Sequence, residues 1–165
     1  MNEETKTNEV QLVVFMLGDE EFACNINNVC EVLKMVHVTP LPRSIYFVEG
    51  VINLRGEVIP VIDLRKRFGM EKIAQTEKSR IIIAEVDDRV FGIIVDSVSE
   101  VVSLPEKDIQ DAPAHIAGER TELIIGVAKI NDRMVIILDV ERVLSSDEHS
   151  MLKTITENKK EATFN

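Results

Sequence analysis

Apolar residues alternate with polar ones, or run together in blocks of four to seven, through most of the chain, and the blocks are broken by short turn signals rather than by helical spacing. LVVFMLGDEEFACNI reads as a hairpin with its turn at Gly18-Asp19, and a third strand is predicted near residues 31 to 38. GVINLRGEVIPVIDL, residues 50 to 64, reads as a second hairpin turning at Arg55-Gly56. The same order then recurs. Moved by 69 positions, residues 13 to 35 fall without gaps on residues 82 to 104, and Asp19, Phe22, Val29 and Glu31 meet Asp88, Phe91, Val98 and Glu100. Moved by 76, residues 50 to 68 fall on residues 126 to 144, and Gly50, Val51 and Asp63 meet Gly126, Val127 and Asp139. Apolar alternation alone would not match Gly, Asp and Glu in order, so the chain is two copies of one small unit.

Each copy supplies about five short strands, enough to curl into a small barrel that leaves few bare edges. The first is expected over about residues 9–69 and the second over 79–144, with the polar stretch Gly69 to Ser79 between them. Asp63 and Asp139 follow the last strand of each copy and precede LRKRF and VERVL, where a carboxylate can accept N–H bonds and cap a short helix. Ser145-Ser146-Asp147-Glu148 has capping-box spacing, and Met151, Leu152 and Ile155 form one stripe, so a helix over 146–160 is expected to lie against a barrel. Residues 1–8 are expected to be disordered.

Composition narrows the function. With no Trp and 4% aromatic residues, the interior must be filled by Val, Ile and Leu, which favours a mainly β fold. The net charge is −10 and neither half is basic, so nucleic acid and anionic membranes are not expected partners; Arg65-Lys66-Arg67 is the one cationic triplet. There is no signal-like N-terminus and no apolar run of membrane length, so a cytoplasmic protein, monomeric when free, is expected. Cys24 and Cys30 are read as buried or half-buried free thiols. His37, His115 and His149 have no metal-ligand spacing, and no nucleophile or phosphate-loop motif is present. Neither an enzyme, nor a metal, nor a cofactor is expected.

The repeat also separates what the fold needs from what it does not. Arg55 and Gly56 face Asn131 and Asp132 in the other copy, so Arg55 is not demanded by the hairpin. Glu31, in an apolar stretch of the same copy, is a plausible partner for a charge-assisted bond.

Asn53-Leu54-Arg55-Gly56 followed by Val58-Ile59-Pro60-Val61-Ile62-Asp63-Leu64 resembles the signature of CheW-like domains, and the likeness extends from about Glu9 to Leu144. The resemblance implies two five-stranded SH3-like β-barrels packed around a shared core. It also implies a non-catalytic adaptor that couples chemoreceptors (methyl-accepting chemotaxis proteins) to the histidine kinase CheA at the inner face of the membrane. The alternative is an interaction domain of the same fold serving a non-chemotaxis kinase pathway. Carried over by position, the receptor-binding groove falls on Val13, Ile26, Val29, Val98 and Val101, with Glu31 and Arg55 nearby. It would suit the helical tip of a receptor hairpin. The CheW-like regulatory domain of CheA would meet the barrel ends, near Val38, Leu41 and Pro42 on the first and Ile109, Ala114 and His115 on the second. The second end lies in residues 105–125, a connection seven residues longer than its counterpart because the shift grows from 69 to 76; His115 stands where the family places an aromatic residue.

Overall fold

The hairpin β1 (Glu9–Leu17) and β2 (Glu20–Asn25) is apolar on both faces, so it must be covered from both sides. In the computed structural model, which describes residues 8–42, 44–71, 73–112 and 122–164 and side chains up to residue 155, that demand sets the topology. Leu12, Val14 and Ala23 fill one barrel, while Val13, Phe15, Leu17, Phe22 and Cys24 face a core shared with the other.

Beyond β2 the chain continues through a 3-10 turn at Ile26–Asn28 into β3 (Val29–Lys34), then β4 (Val48–Leu54) and β5 (Glu57–Asp63). The second copy supplies β6 (Arg80–Val86), β7 (Arg89–Val95), β8 (Ser97–Pro105), the two-residue β9 (Ile109–Gln110), β10 (Ile124–Ile130) and β11 (Arg133–Leu138). One sheet has the order β8-β1-β2-β11-β10-β9 and the other β3-β6-β7-β5-β4. The fold is thus mainly β, with two curled sheets around a shared core. The expected split into a barrel of residues 9–69 and another of 79–144 does not hold, because each copy lends its first hairpin to the other copy's sheet. The cause is local: the short turn at Ile26–Asn28 carries the chain across to the second sheet and leaves β1-β2 behind, and β7 passes to β8 in the same way at Asp96.

β3 stops at Lys34 rather than reaching residue 38, since its partner β6 begins opposite it at Arg80. Further on, Thr39 exchanges both backbone hydrogen bonds with Val51, each 2.8 Å. Of residues 1–8, expected to be disordered, 1–7 lie outside the described residues, and the Asn8 carbonyl accepts a 2.8 Å bond from the Glu106 N–H.

Both predicted aspartate caps form. Asp63 accepts from the N–H groups of Arg65 and Lys66 ahead of α1 (Leu64–Arg67), and Asp139 accepts from Glu141 ahead of α2 (Val140–Val143). Asp139→Ala should cost about 1 kcal/mol, as lost caps do. Urea denaturation checks it, and an unchanged midpoint would refute the cap's role. The capping box forms as well, with Ser145 N–H on Glu148 Oε1 at 2.9 Å and Glu148 N–H on Ser145 Oγ at 3.1 Å. It opens α3 (Ser146–Phe164), longer than the expected 146–160. Leu152 is buried in the shared core and Ile155 packs against it, but Met151 is 54% exposed and not part of the buried stripe.

Arg65-Lys66-Arg67 is consumed internally. Arg65 forks onto Asp96, Nε to Oδ1 at 3.0 Å and Nη2 to Oδ2 at 2.6 Å, while Lys66 pairs with Glu49 at 2.9 Å. Arg67 lies over the Phe47 ring and donates to the carbonyls of Arg142 and Val143, tying α1 to the end of α2. Asp96 also accepts from the Gly18 N–H at 2.6 Å, so one carboxylate fastens the β7–β8 crossover to the β1–β2 turn and α1. Burial pushes its pKa up, but the Arg65 fork and the Gly18 N–H outweigh burial and hold it below the ordinary aspartate range. A depressed folded pKa gives stability that is present above the unfolded value and lost as pH falls through the folded one. Asp96→Asn should therefore cost about 2 kcal/mol at pH 7, typical of hydrogen bonds to a charged group. The cost should shrink as the wild type is acidified through that range. A pH-independent difference in urea midpoints would contradict this.

Candidate functional site

β3 and β8 are edge strands, one in each sheet, and each follows a crossover from one sheet to the other. Val13 is buried in the shared core, and Ile26, Val29 and Val98 are half-buried and pack on it. Val101 stands opposite Val13 in register and so shares its face, yet it is 54% exposed because β8 has no neighbour beyond it. Of the five apolar residues predicted for this site, Val13 is part of the shared core, Ile26, Val29 and Val98 pack on that core, and Val101 is exposed opposite Val13. Sequence reasoning missed Val32. It is 40% exposed on β3, opposite buried Ile82, and the repeat could have found it, since a shift of 69 places it on Val101.

Arg55 and Glu31 do meet. Arg55 Nη1 lies 3.4 Å from Glu31 Oε1 and Nη2 pairs with Oε2, which holds the Glu31 carboxyl below its ordinary range. Arg55 and Gly56 occupy the β4–β5 turn with φ of 50° and 89°, left-handed at both positions as a two-residue hairpin turn of the primed type requires. Asn131 and Asp132 make the same turn with φ of 49° and 66°. The turn thus does not depend on Arg55, and a bulky residue is disfavoured there.

One inference from the repeat changes. Arg133, two residues beyond Asn131, pairs with Glu100 at 2.9 Å and with Glu21 at 2.6 Å, and Glu100 is the counterpart of Glu31. An arginine clamp between the edge strand and the last hairpin thus exists in both barrels, and column-by-column comparison misses it because the arginine is displaced. What is particular to the first barrel is access: the Arg55 side chain is 70% exposed and bound to one carboxylate, while that of Arg133 is 39% exposed and bound to two. Arg55→Ala should fold with little loss of stability but assemble poorly, and Arg55→Lys should not restore assembly, because only guanidinium offers two parallel donors. A double-mutant cycle with Glu31→Ala, reading partner binding, checks the pair; strictly additive effects would dissolve it.

The residues predicted at the barrel ends are placed unevenly. Val38 is half-buried against the interior of the β3–β7 sheet, and Ile109 against the interior of the other. Leu41 is buried in the shared core, so it supports the loop from below rather than meeting solvent, whereas Pro42 is exposed. Ala114 and His115 lie outside the described residues. Val36 and Tyr46, both exposed, flank the same loop, and no feature of the sequence pattern singles them out; Tyr46 stands edge-on to Phe47, centroids 5.3 Å apart.

Reactive chemistry is poorly served by these surroundings. Burial raises the Cys24 thiol to about 12. Cys30 is exposed, but partial burial and then the Glu85 carboxylate, 3.7 Å from Sγ, push its pKa up as well, away from the thiolate a nucleophile needs. His149 is lowered by burial and by Arg89. Among the described residues no group of three His, Cys, Asp or Glu side chains is positioned to hold a metal, and no helix is long and apolar enough to cross a membrane.

The CheW-like domain profile matches residues 11–148. The chain is 34% identical over 148 residues to the chemotaxis protein CheW of Klebsiella aerogenes, covering 90% of this chain and 89% of that protein. It is 37% identical over 138 residues to the chemotaxis protein CheW of Rhizobium meliloti, covering 84% and 89%. The crystal structure of the scaffolding protein TtCheW from Thermoanaerobacter tengcongensis superposes with a TM-score of 0.78 at 38% identity, covering 90% of this chain and 96% of that one. A profile match over most of the chain, relatives above 30% identity along nearly their whole length and a solved structure of the same fold agree, and the chain belongs to the CheW-like domain family.

Proposed function

We propose that this protein is a non-catalytic scaffold of chemotaxis signalling that couples methyl-accepting chemoreceptors to the histidine kinase CheA. The observation that carries the reading is the apolar surface of the two edge strands, where Val29 and Val98 are half-buried on the shared core beside Ile26 and Val32 and Val101 are exposed. Exposed valines on the edge strands of an acidic protein suit a partner that covers them, and an amphipathic helix does so through residues spaced by one turn. The receptor hairpin tip is placed there, and the regulatory domain of CheA at the ends marked by Val38 and Pro42 on one barrel and by Ile109 and the 113–121 segment, with Ala114 and His115, on the other. A scaffold must hold both partners at once, so separate surfaces are required. Relatives carrying the chemotaxis and scaffolding names support the same reading.

The test is retention from cell extract on the immobilised protein. Receptors and CheA retained together support coupling; a different histidine kinase without receptors would support service in a non-chemotaxis pathway; retention of neither would overturn the proposal.

A further inference from the structure

The parallel ladders of the two sheets are equivalent through the repeat. Ile137 stands opposite Ala23 in one and Val61 opposite Gly92 in the other, and the shifts of 76 and 69 exchange these pairs. On β7 the place beside the β6–β7 turn is taken by the chain itself. Arg89 donates to the Leu144 carbonyl at 2.7 Å, its side chain 14% exposed, and His149 in the first turn of α3 hydrogen-bonds with the Val90 backbone. The equivalent place on β2 falls at Glu20 and Glu21. A shift of 76 carries Ser145 to Ile155 back onto Gly69 to Ser79, and no helix forms among the described residues of that stretch. What lies beside β2 instead is an open cavity of about 600 Å³.

Half-buried Met16, exposed Met134 and buried Ile136 form the apolar wall of this cavity, and Asp19, Glu20 and Glu21 its acidic side. Methionine adapts its shape to what it meets, which suits a binding wall. The cavity's arginine, Arg133, is committed to Glu21 at 2.6 Å and to Glu100 at 2.9 Å. Lys129, opposite Met134 on β10, pairs with Asp132 at 3.8 Å. Asp19 and Glu20 meet no cation among the described residues. The exchange of Arg89 for Glu20 also reverses what an occupant must bring: Arg89 donates to a carbonyl, whereas a Glu20 carboxylate accepts.

We propose that this cavity is a further docking site, taking a basic amphipathic helix of a partner protein. Apolar residues at one-turn spacing pack on Met16, Met134 and Ile136, and a lysine or arginine of the same helix reaches Asp19 and Glu20. A helix is the occupant because the second copy seats the start of its own α3 at the equivalent place, and a basic one because the carboxylates left there need donors. The site shares no residue with the surfaces assigned to the receptor or to CheA, so it leaves both free. The structure also provides the probe, since two of its wall residues are methionines and Met151, as exposed as Met134, lies on α3.

The experiment follows methionine methyl signals of the full-length, isotopically labelled protein during titration with a synthetic helical peptide, in which leucines recur at one-turn spacing and lysines flank them. Met16 and Met134 should move together while Met151 stays fixed. The same peptide with glutamates in place of the lysines should bind at least about tenfold more weakly. Glu20→Arg, which gives the first copy the second copy's residue, should weaken the lysine peptide by at least about tenfold, since like charges then meet. Asp88→Arg, at the counterpart turn, changes net charge equally and should leave affinity within about twofold. Should Glu20→Arg fail to fold, Met134→Ser removes part of the apolar wall and should cost about threefold or more, read at Met16. Met16 and Met134 signals that stay fixed at every peptide concentration would overturn the proposal. Equal binding of the two peptides, or equal losses from Glu20→Arg and Asp88→Arg, would overturn it too, because the peptide would then be responding to the protein's overall charge or to none.

Discussion

Gly50→Ala should be the most damaging single-atom change in the first copy. A Cβ added there would lie 2.1 Å from the Thr39 carbonyl oxygen, 2.7 Å from its carbon and 2.9 Å from Pro40 Cα, all backbone atoms. They cannot yield cheaply, because Thr39 is pinned to Val51 by two 2.8 Å hydrogen bonds that hold the connection from β3 against β4. Gly50 also has φ +152°, which L-residues avoid. Clash and backbone strain together should cost about 3 kcal/mol or more, at the upper end of single-substitution effects. Gly56→Ala is the control. It has φ +89° but nothing within 4 Å of an added methyl, so strain alone should cost about 1 kcal/mol. Urea denaturation of the two variants separates the contributions, and equal midpoints would mean that the Thr39 segment moves aside freely. Gly126, where an added Cβ would lie 2.2 Å from the Gln110 carbonyl oxygen, should show the clash without the backbone strain, since its φ is not in the left-handed range.

Gly50 shows what was legible. A residue that both copies require at equivalent places announces a backbone constraint, and the same logic found Asp63 and Asp139, whose side chains cap helices as predicted. The Arg55–Glu31 pair was legible because an acidic residue in an apolar stretch needs a reason to be there. The exchange of hairpins between sheets was not, because periodicity states which faces are buried and not which strands are neighbours. Leu12 to Phe15 carried a hint: four consecutive buried residues mark a strand covered on both faces, as β1 is. Leu41 was placed at a surface because a loop between strands is usually exposed, but the Thr39–Val51 bridge pulls this loop inward and Leu41 into the shared core. Arg65 to Arg67 looked like free positive charge, and the carboxylates and carbonyls that consume it lie tens of residues away in the chain.

Val101→Asp should weaken receptor binding more than any other substitution that leaves the fold intact. The side chain sits on an edge strand, opposite Val13, and is 54% exposed in the free protein. Free-state stability should therefore change by about 0.5 kcal/mol or less, as exposed substitutions do. On the proposed function binding is different, because a receptor helix covering this edge strand would strip water from Val101. A carboxylate covered there without a partner should cost at least about 2 kcal/mol, which is roughly a 30-fold loss of affinity. Arg133, which holds Glu100 on the same strand, is already engaged by Glu21 and Glu100 and would have to abandon those partners to compensate. Met151→Asp, equally exposed but on α3, is the control for added negative charge and should leave binding within about twofold. Calorimetric titration with a receptor hairpin-tip fragment, alongside thermal melts of both variants, makes the comparison. Near-wild-type affinity for Val101→Asp would remove the β8 rim from the interface, and the receptor helix would then have to be sought along β3 alone, where Val29 and Val32 stand.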